Sequence, residues 1–127
     1  MTRAARLAGA VAAAWMAAAG CRKQDAPAAG ATRPPPIPQA ERQRSTDACK
    51  AYATALCACA EAHPERADLQ KRCGLDGALP DALKLAIGVD DEPKMTPDEI
   101  RRAHQSAREI TATCVEGVAQ LPAIGCH

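Results

Sequence analysis

The chain has 127 residues and a formal net charge of +1, which allows one small domain and excludes a strongly basic or acidic protein. Aromatic residues make up only 2% of the sequence, so no basic patch is interleaved with aromatic side chains, and we expect no nucleic-acid partner. Large apolar side chains are scarce, and a small domain with so few of them is marginal without cross-links. Seven cysteines can provide those cross-links.

The N-terminal residues have the pattern of an export signal. Arg3 and Arg6 precede a moderately apolar stretch, residues 7–19, which is shorter than the ~20 residues needed to cross a bilayer. We therefore predict that residues 1–20 are a removable signal peptide and not a stable membrane span.

The tetrad Ala18-Ala19-Gly20-Cys21 closes this segment and resembles the lipobox of bacterial lipoproteins. The resemblance implies cleavage before Cys21, a diacylglyceryl group on its thiol, and a further fatty acid such as palmitate on the new amino terminus. Two such signals give durable membrane anchoring. The motif usually has Leu where this chain has Ala18, and ordinary secretion with cleavage after Ala19 is the alternative. Arg22 stands where enteric lipoproteins retained in the inner membrane have Asp, so the resemblance favours the outer membrane, with its face left open.

Residues 21–44 are expected to form a lipidated, disordered linker. They are rich in proline and alanine and include Pro34-Pro35-Pro36-Ile37-Pro38, a composition that cannot bury enough apolar surface to order itself. The prolines favour an extended polyproline II spacer. Residues 45–127 contain the other six cysteines and are expected to form a Cys-rich helical domain.

Two long helices are predicted in this domain. Ser45-Thr46-Asp47 supplies N-cap oxygens for the first, at about 47–62, where apolar residues and cysteines recur at helical spacing. Thr96-Pro97-Asp98-Glu99 is a capping box that starts the second, at about 97–119. Its predicted apolar stripe consists of Ile100, Ala103, Ala107, Ile110, Cys114, Val118 and Leu121.

Two short helices are predicted between the long ones. The first covers about 65–73 and ends at Gly74 as a left-handed C-cap, and the second opens at Pro80-Asp81 and ends at Gly88. The run Asp90-Asp91-Glu92-Pro93 is predicted to be a solvated loop, because it lacks the ligand pattern of an EF-hand. No segment alternates with a period of two, so we predict an all-α fold: a small disulfide-stapled bundle of three to four helices after a disordered stalk.

Six cysteines are predicted to form three structural disulfides, which leaves Cys21 for lipid attachment. Cys57 and Cys59 point about 200 degrees apart on a helix, so each needs a partner on a different element. Folding the second helix back on the first brings Cys73 near Cys49 or Cys57, and the C-terminal segment then supplies Cys114 and Cys126 to the two thiols left over. The pairs that we choose are Cys49–Cys73, Cys57–Cys114 and Cys59–Cys126.

No catalytic, cofactor, metal or small-molecule site can be named from the sequence, and we do not expect an enzyme. The leading hypothesis is a membrane-anchored extracytoplasmic lipoprotein that acts as a small interaction or structural module of the cell envelope, with an envelope protein as its partner. Cys59 and His63 have metal-ligand spacing on a helix. The alternative is therefore a thiol-disulfide or metal-handling envelope protein that uses Cys57, Cys59 and His63. His104 is predicted beside the apolar stripe, and His127 completes the scattered histidines.

Overall fold

The computed structural model describes residues 32–127, and every regular element within that range is helical. Four α-helices follow one another: α1 (Gln39–Ala62), α2 (Ala67–Asp76), α3 (Leu79–Gly88) and α4 (Pro97–Gln120). Short 3-10 turns cover Val89–Asp91 and Pro122–Ile124. The predicted all-α fold class, a small helical bundle with three disulfides, is confirmed.

The bundle consists of three helical rods, of which α2 and α3 together make one. Cys49 and Cys59 on α1 are bonded to Cys114 and Cys126 respectively, so the partners advance in the same direction and α1 runs parallel to α4. The α2–α3 rod lies against α1 and carries the chain back to the start of that helix, where α4 begins. It therefore serves as the crossover that a parallel pair of helices needs.

The core lies where the three rods meet and contains few large side chains. Those that are fully buried come from all four helices: Tyr52, Leu56, Leu69, Leu83 and Ile100, together with the disulfide Cys49–Cys114. The hydroxyl of Tyr52 donates a hydrogen bond of 2.6 Å to Asp76 Oδ2, so its buried ring keeps a polar partner. Burial and this bond to Asp76 raise the pKa of the Tyr52 phenol.

Helix α1 begins at Gln39, well before the predicted start at about residue 47, so the prediction that residues 39–44 belong to a disordered linker is wrong. This segment contains Gln, Ala, Glu and Arg, which are good helix formers even though they are polar. Pro38 precedes the helix with φ −56°, and Glu41 lies in the first turn, where a negative charge is favourable. By composition alone, the same residues are also typical of a disordered linker.

Helix α2 covers Ala67–Asp76, so the predicted end at a left-handed Gly74 is wrong. Gly74 lies inside the helix, and the chain continues into α3 through Gly77 with φ −60°. Gly77 is required for space, because a Cβ there would lie 2.5 Å from the carbonyl oxygen of Cys73 and 3.3 Å from Cys57 Sγ. The prediction of a short helix ending at Gly88 is confirmed, with its start at Leu79.

Helix α4 matches its predicted range, and its capping box is present. Thr96 N–H donates to Glu99 Oε2 at 2.7 Å, and Glu99 N–H donates to Thr96 Oγ1 at 3.3 Å. The apolar stripe differs near its end, because Val118 is 41% exposed and Gly117 is buried in its place. A Cβ on Gly117 would come within 2.5 Å of the Tyr52 ring, so the tyrosine fills the space that a larger side chain on α4 would need.

Candidate functional site

All six cysteines of the described domain are joined in disulfides: Cys49–Cys114, Cys57–Cys73 and Cys59–Cys126. The predicted pair Cys59–Cys126 is present, whereas the predicted pairs Cys49–Cys73 and Cys57–Cys114 are wrong. The parallel packing of α1 and α4 explains the difference, because it places Cys49 and Cys114 at one level, where both are fully buried. Helix α2 packs farther along α1, and Cys57 lies about 12 Å beyond Cys49 at a rise of 1.5 Å per residue.

The cluster that the alternative hypothesis requires is not assembled. Cys57 and Cys59 point to different neighbours and are bonded to α2 and to the C-terminal segment, as their helical spacing predicts. His63 is 45% exposed at its side chain and lies 3.4 Å from Glu65 Oε1 through Nδ1. Within residues 32–127, no group of three or more His, Cys, Asp or Glu side chains is placed to hold a metal ion.

A buried carboxylate, Asp90, is the centre of a polar cluster at the start of α1. Its side chain is only 2% exposed, so the prediction that it belongs to a solvated loop is wrong for this residue. Oδ2 accepts hydrogen bonds from Ile37 N–H at 2.9 Å and from Arg42 Nη2 at 2.8 Å, and Oδ1 lies 2.6 Å from His104 Nε2. We call Ile37, Arg42, Asp90 and His104 the Asp90 cluster. Asp91 is 77% exposed, as predicted for the loop.

The Asp90 cluster stabilises the charged form of its carboxylate. Burial by itself would raise the pKa of Asp90. The hydrogen bonds from Ile37 and His104 and the electrostatic attraction of His104 and Arg42 outweigh the burial, so that the pKa of Asp90 lies below its ordinary value. His104 lies on α4 and is only 8% exposed, and it had been predicted to lie beside the apolar stripe. Through this residue α4 contributes directly to the Asp90 cluster.

The same cluster attaches the segment before α1, residues 32–38, which we call the N-terminal arm. Arg33 donates hydrogen bonds through Nη2 to the carbonyl oxygens of Asp90 at 2.8 Å and Glu92 at 3.2 Å. Ile37 is held through its backbone N–H and packs with its side chain against the core. These contacts fix the arm to the turn between α3 and α4, so the prediction of a disordered linker is also wrong for residues 32–38.

An apolar groove of about 290 Å³ opens beside the arm, between the first half of α1, α3 and α4. Its apolar walls are formed by Ile37, Leu83, Ile87, Ala107, Ala112 and Val115. Three charged side chains also line it, Glu41, Arg42 and Arg108, so an apolar ligand group would have polar neighbours at its edge. Val115 is 55% exposed, so its side chain is the part of α4 in the groove that a ligand can reach from solvent.

Sequence reasoning missed both the groove and the Asp90 cluster. One signal was available, since Ile37 is a large apolar residue set among prolines and therefore a candidate for packing. The four residues of the Asp90 cluster come from three separate segments of the chain: the arm with α1, the turn after α3, and α4. Their proximity depends on the parallel packing of α1 and α4, which no local pattern encodes.

Cys21, the predicted lipid attachment site, lies outside the described residues. None of the helices within residues 32–127 combines the length and the apolar character that a membrane span requires. Comparison of the chain with protein-family models, curated proteins and solved structures found no match.

Proposed function

We propose that the chain is a lipoprotein of the bacterial cell envelope, anchored through Cys21 to the outer membrane, that presents a small disulfide-cross-linked interaction domain. The observation that carries this proposal is the pairing of the cysteines. Six of the seven are bonded to one another within the domain, so Cys21 has no cysteine partner left in its own chain. A single cysteine directly after small residues and an apolar signal is the substrate of lipidation.

The membrane anchor is tested by the intact mass of the mature protein extracted from membranes. We expect the mass of residues 21–127 with three disulfides and the added acyl groups, and we expect Cys21→Ser to lose partition into detergent. The double variant Cys59→Ser/Cys126→Ser is the matched control, because it also replaces cysteines by serine, here a disulfide pair, but leaves the anchor. A mature product that begins at Gly20 or Cys21 without acyl mass would contradict the proposal.

The apolar groove supports the second part of the proposal, that the domain binds an envelope protein. Its size and mixed edge suit the apolar side chains of a partner segment that also carries charge. A photoreactive amino acid at Val115, inside the groove, is expected to cross-link such a partner in intact cells. The same amino acid at Val118 is the control, since that residue is exposed on α4 and does not line the groove. Equal cross-linking from both positions would argue against the groove.

The alternative, thiol-disulfide or metal handling through Cys57, Cys59 and His63, differs in one measurable respect. A protein that uses these cysteines as thiols or ligands should contain reactive thiols when it is purified without reductant. Structural disulfides should leave none. A thiol count on the unreduced, mature protein therefore separates the two functions.

A further inference from the structure

The point at which the anchored chain joins the domain is fixed by the N-terminal arm. Arg33 is bonded to the carbonyl oxygens of Asp90 and Glu92, and Ile37 is bonded to the Asp90 side chain. The chain from Cys21 therefore reaches the domain at the turn between α3 and α4. Had the arm been part of a free linker, attachment would have begun only at Gln39, the first residue of α1.

The connection between this turn and the lipid is short. Thr32 lies eleven positions after Cys21, and this stretch spans at most about 40 Å when fully extended at ~3.3–3.6 Å per residue. If Cys21 carries the lipid, as proposed above, the turn between α3 and α4 must stay within that distance of the bilayer surface. This end of the domain is therefore the one that meets the membrane most often.

The surface at this end carries one strongly exposed apolar side chain, Leu85, beside the half-buried Val89 and Met95. Leu85 is 77% exposed, more than any other large apolar residue within residues 32–127. Together with Val89 and Met95 it borders a shallow depression of about 590 Å³, which we call the Leu85 patch. Glu92, whose carbonyl oxygen holds Arg33, lines the same depression, so the patch adjoins the point where the arm is attached.

We propose that the Leu85 patch contacts the lipid bilayer that holds the anchor at Cys21. The inference rests on the proposed lipidation, since the short connection is what brings the patch to the membrane. A tether of this length gives a high effective concentration of the patch at the surface, so a small apolar contact is sufficient. Lys84, Asp81 and Glu92 line the same depression, one positive and two negative side chains, so positive charge does not draw it to the membrane and the apolar side chains must make the contact.

A single tryptophan can report this contact. The only tryptophan of the chain is Trp15, in the predicted signal peptide, so Leu85→Trp gives the mature, lipidated protein one fluorophore in the patch. Leu75→Trp is the matched control, because Leu75 is also exposed, at 66%, and lies on α2 away from the arm. Both variants are reconstituted as mature lipidated protein, without residues 1–20, into phosphatidylcholine vesicles with and without brominated acyl chains.

We expect brominated lipid to quench the Leu85→Trp variant at least about twofold, because interfacial apolar groups sit ~5–10 Å deep, within reach of the acyl chains. The Leu75→Trp variant should be unaffected. Protein that floats with the vesicles but shows equal quenching at both positions would overturn the membrane contact and leave the anchor intact. Protein that does not float would overturn the anchor and this inference together. A blue shift at position 85 that depends on protein concentration and occurs without vesicles would mean that a second copy covers the patch.

Discussion

The two ends of the bundle are held together by different chemistry. At the second half of α1, disulfides from Cys57 and Cys59 join α1 covalently to α2 and to the C-terminal segment. At the start of α1, before the disulfide Cys49–Cys114 near the middle of the helix, the arm and the turn after α3 are joined to α1 and α4 by hydrogen bonds and ion pairs around Asp90. The covalent end should respond to reductant and the polar end to pH and to removal of a charge. The fold therefore has two independent weak points.

The largest expected effect is that of complete reduction. Each disulfide typically contributes ~2–4 kcal/mol against a total stability of ~5–15 kcal/mol, and a core with few large side chains cannot replace three of them. We expect the domain to lose its cooperative unfolding transition, with partial helicity left in α4 at most. Circular dichroism with and without reductant measures this. A melting midpoint that barely changes would mean that the apolar core holds the fold unaided and that the cysteines are available for another role.

Next in size is the loss of the charge at the polar end. Asp90→Asn should lower the free energy of unfolding by about 2–3 kcal/mol, because the partly buried Arg42 loses its buried counter-charge, and Ile37 N–H and His104 lose a charged hydrogen-bond partner. Asp91→Asn is the matched control. Its carboxylate is 77% exposed, and we expect a change within about 0.5 kcal/mol. Urea unfolding of both variants compares them, and equal midpoints would show that the Asp90 cluster adds nothing to stability.

Two glycine substitutions compare a tightly packed position with an open one. Gly117 on α4 packs against Tyr52, and Gly74 lies on the surface of α2. Gly117→Ala should destabilise the domain by about 1–3 kcal/mol, since its Cβ would lie 2.5 Å from the Tyr52 ring. Gly74→Ala should stabilise it by about 0.5–1 kcal/mol, because the glycine lies inside α2 with no atom near the added Cβ. Thermal unfolding gives both signs. A stable Gly117→Ala variant would mean that Tyr52 can move away from α4 at little cost.

The smallest effect is the pH dependence that Asp90 contributes. Its pKa is lower in the folded state than in the unfolded chain, so its stabilising contribution is complete above the unfolded value of about 4 and is lost as the pH falls through the folded value. The difference in stability between the native protein and Asp90→Asn should therefore shrink in acid. Urea midpoints across the acidic range test this expectation, and a difference that grew in acid would have the wrong sign.

The parts of the fold that sequence predicted are those with local signals. The capping box at Thr96 correctly predicted the start of α4, and Gly88 correctly predicted the end of α3. The two opposite directions of Cys57 and Cys59 followed from helical geometry alone. These features depend on residues within about one helical turn of each other.

The remaining features depend on contacts between distant segments. The helix start at Gln39 and the burial of Asp90 support each other through Arg42, 48 residues from Asp90 in sequence. The disulfide Cys49–Cys114, which spans 65 residues, requires that α1 and α4 run parallel, and the sequence offered no measure of helix direction. The groove depends on the same arrangement. The candidate site therefore could not be predicted without knowing how the three rods pack.

Every disulfide has one of its cysteines on α1. A protease that cuts the backbone once between α1 and α2, or between α3 and α4, therefore produces two pieces that are still bonded to each other through α1. The cleaved protein would run as one band on a gel without reductant and as two bands with it. If Cys21 carries the lipid, as we propose, the piece that contains α1 stays anchored, and a nick in either connection would not release any part of the domain from the membrane.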